Sequence, residues 1–313
     1  MDALRPDDPV WTRLLVLHAQ WLAGQAGGVR ADIRDWRIEA PWLRGAHLAE
    51  GSFSHLTLLG ADLEAARLGG SDWERCDLRQ SSWGGADAEA VSLVDVKLDV
   101  ASLTSANLSE SRLQSVSFQE ANLVGLRLLE AVVSRCDFRG ATLRGSSWNH
   151  ARVLESDFSG ATMDGAQFYH SRIQFSRFVF VQAQRTVFSS ARCLDCEFRD
   201  ADLTEARFLG ANLQGSTLAR CVLRGALFRG AQLRGVRLDG CDLRGARFAD
   251  AKMLSADLRG SDLTGARELT QTQLGQARTD GATILPNGQP GPFLKGRGTE
   301  RPVWISISRP QPG

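Results

Sequence analysis

Little in this chain is equipped for catalysis. Its 313 residues include five histidines (His18, His47, His55, His150 and His170), three lysines and a single tyrosine, Tyr169. No helix-borne metal-ligand motif, phosphate loop or nucleophile elbow occurs. No apolar run approaches the ~20 residues that a membrane-spanning helix needs. Asp2, Asp7 and Asp8 stand where a secretory leader would carry basic residues. Charge of one sign is lacking too: 37 basic and 36 acidic residues leave a formal net charge of +1. These scarcities point away from an enzyme, and no catalytic residue, cofactor or metal is expected. They suit a cytoplasmic protein, with export by a specialised secretion system left open.

Insertions and deletions are absent as well, and their absence exposes the dominant pattern. Every residue whose number ends in 3 or 8, from Ile33 to Leu263, falls in one unbroken register of 47 positions. All are large and apolar except Ala88, Ala183 and Cys193. A period of five fits neither a helix nor a strand, so it is an internal repeat. Two residues earlier the side chains are mostly small, as in Ala61, Ala66, Ser71, Cys76 and Ser81. The position between is often Asp or Asn, as in Asp62, Asp77, Asn107, Asp202 and Asn212. Two inward positions of unequal size, separated by one outward polar residue, describe a narrow tube with regular corners.

Units such as Ala201-Asp202-Leu203-Thr204-Glu205 and Ala211-Asn212-Leu213-Gln214-Gly215 resemble the pentapeptide-repeat family, whose consensus is A(D/N)LXX. The resemblance covers residues 31–267. It implies an all-β solenoid, a right-handed quadrilateral β-helix with one face per pentapeptide and twenty residues per coil. The 47 units then make about twelve coils, a rod of roughly 55 Å at a strand spacing of ~4.8 Å. In such a solenoid apolar residues are buried only by stacking of neighbouring coils, and side chains fill the interior.

A period of twenty sorts the core. Phe118, Phe138, Phe158, Phe178 and Phe198 share one face. Trp148, Phe168, Phe188, Phe208, Phe228 and Phe248 share the opposite face, and aliphatic residues line the other two. The aromatics therefore read as core rather than as a platform for nucleic-acid bases. The six cysteines obey the same register. Cys76, Cys136, Cys196, Cys221 and Cys241 take the small inward slot and Cys193 the large one. They read as small buried hydrophobes in a reducing compartment. Cys221 and Cys241 stack within disulfide reach, and a ladder of small residues is the preferred reading. Cys193-Leu194-Asp195-Cys196 points both sulfurs inward, which argues against a metal or redox site.

The domain boundaries follow. Residues 1–30 form an N-terminal capping helix and lead-in, with Asp8 as cap, Pro9 in the first turn and Gly24, Gly27 and Gly28 ending it. Residues 31–267 are the β-helix. Residues 268–285 are a C-terminal cap: Glu268 and Gln273 break the apolar register, and 269–277 read as a short helix. Residues 286–313 are a Pro/Gly-rich tail in which Val303-Trp304-Ile305-Ser306-Ile307 has the character of a strand.

One stretch of surface departs from the repeat. Arg152, Arg172 and Arg192 recur every twenty residues, and His150 and His170 accompany two of them. Tyr169 adjoins His170, and Phe175 and Phe180 occupy corner positions that are usually polar or Gly. These eight residues are the candidate partner-binding patch. A competing reading has Glu155 and Asp195 neutralise the arginines. Charge also varies along the rod: residues 1–100 carry 10 basic and 16 acidic residues, and residues 101–313 carry 27 and 20.

Some members of the family resemble B-form DNA in shape and charge and act on DNA gyrase. The resemblance therefore implies a topoisomerase modulator as the alternative function, although such mimicry needs a strongly negative face. The leading expectation is a non-enzymatic protein-binding or scaffold rod acting through its lateral surface. The resemblance further implies an adaptor or accessory role in a bacterial secretion or phage-like assembly. The expected partner is another protein, or a second copy in a homodimer. Direct nucleic-acid binding is not expected, because arginine alternates with aspartate along most of the chain.

Overall fold

The computed structural model of the chain describes residues 9–38 and 40–294. The body is a parallel β-solenoid whose coils close every twenty residues. Four columns of bridges run along it, through Asp32↔Ser52, Arg37↔Thr57, Trp42↔Asp62 and His47↔Arg67. We number the sides from these columns: side 1 holds residues 31–35, side 2 holds 36–40, side 3 holds 41–45 and side 4 holds 46–50, each repeating every twenty. The ladder uses main-chain N–H groups on every side, as in Leu63 N donating to Ser82 O at 2.7 Å and Asp62 N to Pro41 O at 3.0 Å. Proline has no such donor, and none occurs between Pro41 and Pro286.

Side 1 is the most regular. It carries strands β1 (Asp32–Arg34), β2 (Ser52–Ser54), β3 (Asp72–Glu74), β4 (Ser92–Val94), β5 (Arg112–Gln114), β6 (Val132–Ser134), β7 (Arg152–Leu154), β8 (Arg172–Gln174) and β9 (Arg192–Leu194). They pair in sequence order in one parallel sheet. These nine strands span eight coil steps, fewer than the about twelve coils expected. Beyond Leu194 side 1 is held by single bridges, Arg192↔Asn212 and Asn212↔Gln232. The change coincides with the corner residue. At the ends of β1 to β9 the corner is never glycine, although all nine residues, from Asp35 to Asp195, have φ between 50° and 60°. The next two corners are Gly215 and Gly235, and there the side-1 strand shortens to one bridged residue.

The core is as the register requires. Phe118, Phe138, Phe158, Phe178 and Phe198 stack with centroid distances of 4.6–5.0 Å. Trp148, Phe168, Phe188, Phe208, Phe228 and Phe248 stack at 5.1–5.4 Å from the opposite side. The columns meet edge to face, as in Phe138 against Trp148 at 5.3 Å. Offset and edge contacts of this kind add to area burial. Each buried indole N–H needs a partner, and the small slot supplies it. Trp73, Trp83 and Trp148 donate to Ser71, Ser81 and Ser146 at 2.8–2.9 Å. Val181 and Ala183 exchange the usual small and large positions and are both buried, so local volume is kept.

All six cysteines are free and buried. Burial pushes the Cys136 and Cys196 thiols up to about 12. Thiolates are thereby disfavoured and the sulfurs serve as packing.

Both ends of the rod are covered. Helix α1 (Pro9–Leu22) lies on the first coil; Asp8 is outside the described residues. Trp11 is buried and meets Trp36 at 6.0 Å. His18, also buried, accepts from Ala31 N at 3.0 Å through Nδ1 and donates from Nε2 to Ala49 O at 3.0 Å. Trp42 stays 74% exposed, so the helix does not cover it. At the far end helix α2 (Gln271–Gln276) starts in a capping box formed by Thr270 and Gln273. It is shorter than the 269–277 expected. Gln273 breaks the apolar register for a reason. Its amide donates to Phe248 O at 2.8 Å and Ala251 O at 3.0 Å, carbonyls at the exposed end of the solenoid. The segment 303–307 lies outside the described residues.

Candidate interaction surface

The repeat dictates which surface charges are neutralised. An Asp in the polar slot accepts the N–H two residues on, and an Arg there chelates the same carboxylate. Asp137 with Arg139, Asp242 with Arg244 and Asp257 with Arg259 are such pairs, each at 2.6–2.7 Å. The Arg244 guanidinium, helped by Arg224, holds the Asp242 carboxyl down at about 2. These exposed pairs contribute little stability individually, but they cancel charge in place.

From residue 76 onward, every ion pair among the described residues lies on sides 2 and 3. Sides 4 and 1 differ because at several positions arginine takes the Asp/Asn slot itself. Arg152, Arg172 and Arg192 face one another in the ladder of β7, β8 and β9. All three are exposed, and none makes an ion pair among the described residues. Glu155 and Asp195 sit at the far corner of side 1 and form no ion pair with them. Aligned like charges on adjacent strands repel one another.

The structure joins most of the other candidates to this ladder. His150 and His170 occupy the corner between sides 4 and 1, with rings stacked at 5.3 Å. Tyr169 meets His170 at 4.1 Å, nearly perpendicular, and is 44% exposed. Its main-chain N–H is pinned by Asn149 Oδ1 at 3.0 Å. Phe175, 57% exposed, closes the other edge of side 1. Phe180, 63% exposed, lies one corner further on, between sides 2 and 3. It belongs to a different surface. Both phenylalanines hold left-handed backbone, with φ of 52° and 58°. Neither burial nor local conformation rewards an aromatic side chain at such a corner.

Sequence reasoning missed the adjoining side 4. Arg207, Arg247 and Arg267 also occupy its Asp/Asn slot, Arg229 sits beside them, and all four are exposed. The signal was available: an arginine in the slot that normally holds Asp replaces the carboxylate that pairs with arginine elsewhere in the repeat.

Comparison with known families agrees with this geometry. A model of pentapeptide repeats, in eight copies, matches residues 184–218, 206–245, 226–265 and 241–278. A model of a pentapeptide repeat region matches residues 91–168. The chain belongs to the pentapeptide-repeat family. Among solved structures, this pentapeptide-repeat chain is similar to HetL, a pentapeptide repeat protein involved in heterocyst differentiation regulation from the cyanobacterium Nostoc sp. Strain PCC 7120. Identity there is 22% over 87% of this chain and 97% of that one, with a TM-score of 0.39. It is also similar to trypsin-treated QnrB1, a plasmid-mediated fluoroquinolone resistance protein, at 15% identity over 58% of this chain and 89% of that one, TM-score 0.46. A third likeness is to a pentapeptide repeat protein of the Arabidopsis thaliana thylakoid lumen, at 23% identity over 33% and 71%, TM-score 0.32. No curated protein matches the chain. No helix among the described residues is long and apolar enough to cross a membrane.

Proposed function

We propose that the protein is a binding rod, not an enzyme, and that it engages another protein through the wall formed by sides 4 and 1. One observation carries this reading. Arg152, Arg172 and Arg192 stand in register with no ion pair among the described residues, between stacked histidines on one edge and an exposed phenylalanine on the other. Arginine and aromatic residues are the types that dominate interface hot spots. The interior supports the same reading, since stacked side chains fill it. A DNA-mimic modulator of a topoisomerase is the weaker reading, because the arginine ladder interrupts the continuous negative charge that mimicry needs.

The test is a double change, Phe175→Ser with Arg172→Glu. Both side chains are exposed, so the circular dichroism spectrum and melting profile should stay those of the parent. Capture of the native partner should be lost. Phe180→Ser, on the other surface, should leave capture intact. A folded double variant that binds as well as the parent would remove the wall from consideration.

A further inference from the structure

The wall of sides 4 and 1 changes sign along its length. In its first part (residues 46–55, 66–75, 86–95, 106–115 and 126–135) it carries eight carboxylates and five arginines. In its second part (146–155 and each twenty-residue step to 246–255) it carries eight cations and three carboxylates. The contrast is sharpest in two stretches. Asp87, Glu89, Asp95 and Glu110 follow one another with no cation of the wall between them. Arg172, Arg192 and Arg207 follow with Asp195 as the one acid among them. The exposed large apolar residues Val132, Leu154, Tyr169 and Phe175 lie where the two parts meet.

We propose that this wall binds a second copy of the chain, side by side and antiparallel. The proposal rests on the lateral-binding reading above and names its partner. A two-fold axis crossing the wall between β6 and β7 exchanges the two parts. The coil of β4, with Asp87, Glu89 and Asp95, then faces the coil of β9, with Arg192. The coil of β5, with Glu110, faces the coil of β8, with Arg172. The apolar residues gather about the axis. An isologous contact needs such a self-complementary surface. A parallel pair would set acid against acid and base against base, and like-charge juxtaposition opposes it. The size is adequate. The nine coil steps over which the two walls overlap, at ~4.8 Å each, give a contact about 43 Å long, so a strip about 19 Å wide buries the ~800 Å² per partner of a standard interface. Sides 2 and 3 offer no equivalent, because most of their arginines are already paired with carboxylates of the same side.

The test uses the full chain at low ionic strength, in sedimentation equilibrium and small-angle scattering. The expected mass is twice that of the 34.1 kDa chain, with a maximum dimension close to that of one rod. Salt at ~1 M, where screening acts within ~3 Å, should weaken the pair at least tenfold. Arg172→Glu with Arg192→Glu sets acid against the acidic coils of β4 and β5, and Asp95→Arg with Glu110→Arg sets base against the basic coils of β8 and β9. Each variant alone should be monomeric with an unchanged circular dichroism spectrum, and an equimolar mixture should form a one-to-one dimer. A monomeric wild type, a dimer that survives both reversals, or a dimer of twice the rod length overturns the proposal. If the wild type is monomeric yet Phe175→Ser with Arg172→Glu still abolishes capture of a different protein, the dimer falls and lateral binding stands. If that capture is also unaffected, both fall.

Discussion

Phe175 and Phe178 are three residues apart and should behave in opposite ways. Phe178 is fully buried, stacked on Phe158 at 4.7 Å and on Phe198 at 4.6 Å, with Phe168 and Phe188 edge-on at 6.4 and 6.3 Å. Phe→Ala in a core costs ~3–5 kcal/mol. Phe178→Ala empties one rung of a continuous column and uncovers a ring face on each side. Each stacked pair adds ~0.5–1.5 kcal/mol beyond area burial, so the cost falls in the upper part of that range, about 4–5 kcal/mol. Phe175 is more than half exposed on a corner. Phe175→Ala should stay within about 0.5 kcal/mol of the parent, as surface changes do. Urea unfolding followed by tryptophan fluorescence measures both, since Trp148 packs edge-on against Phe138 and Phe158. In a solenoid stability is a sum of local coil terms, so the Phe178 variant should also show early loss of the coils on one side of residue 178. Equal costs for the two substitutions would mean that the corner side chain is inside, and the register argument would be wrong.

Other outcomes test the two ends and the acid response. Burial lowers His18 below its ordinary value of 6.5, and its Nδ1 must stay unprotonated to accept from Ala31 N. The unfolded imidazole takes up a proton first, so docking of α1 is fully stable above 6.5 and weakens as pH falls toward the lowered value; a titration of helix protection by hydrogen exchange should show this, and a flat profile between pH 7 and 5 would contradict it. Removing residues 1–28 leaves the first coil uncovered and should produce oligomers by light scattering, because unpaired strand edges associate. Gln273→Ala strips donors from two carbonyls at the closed end and should cost ~1–3 kcal/mol, seen as a lowered melting temperature; no change would remove the plugging role. The Asp242 cluster has its full effect above the ordinary carboxylate value of 3.8 and loses it as pH falls through about 2, so Asp242→Asn should narrow the gap between stability at pH 7 and at pH 2.

The core was legible because one register assigns each side chain to the inside or the outside, and Phe118 to Phe198 needed only division by twenty. Cysteine burial followed from the same arithmetic. The shift along side 1 from three-residue strands to single bridges was not legible. Non-glycine corners such as Ala65 and Gln80 also close segments held by single bridges on other sides, so the glycines at 215 and 235 did not by themselves announce the change. Gln273 looked like a broken repeat, and its purpose required sight of the carbonyls it reaches. The arginine ladder was visible at Arg152, Arg172 and Arg192. Its continuation through Arg207 and Arg247 was hidden, because those residues lie five residues off the ladder's period and join it only when side 4 folds beside side 1.

The ladder has a mechanical consequence. Its hydrogen bonds run along the rod between neighbouring coils, as in Leu103 N to Asn122 O at 2.7 Å and Asn122 N to Ala101 O at 2.8 Å. A tensile load applied at the two ends therefore opens the boundaries between coils one after another, peeling instead of shearing. Each boundary that yields frees twenty residues, about 70 Å of extended chain at ~3.5 Å per residue. A single molecule held in a force instrument should lengthen in a staircase of such steps. Stretched in this way, the rod pays out line like a spool.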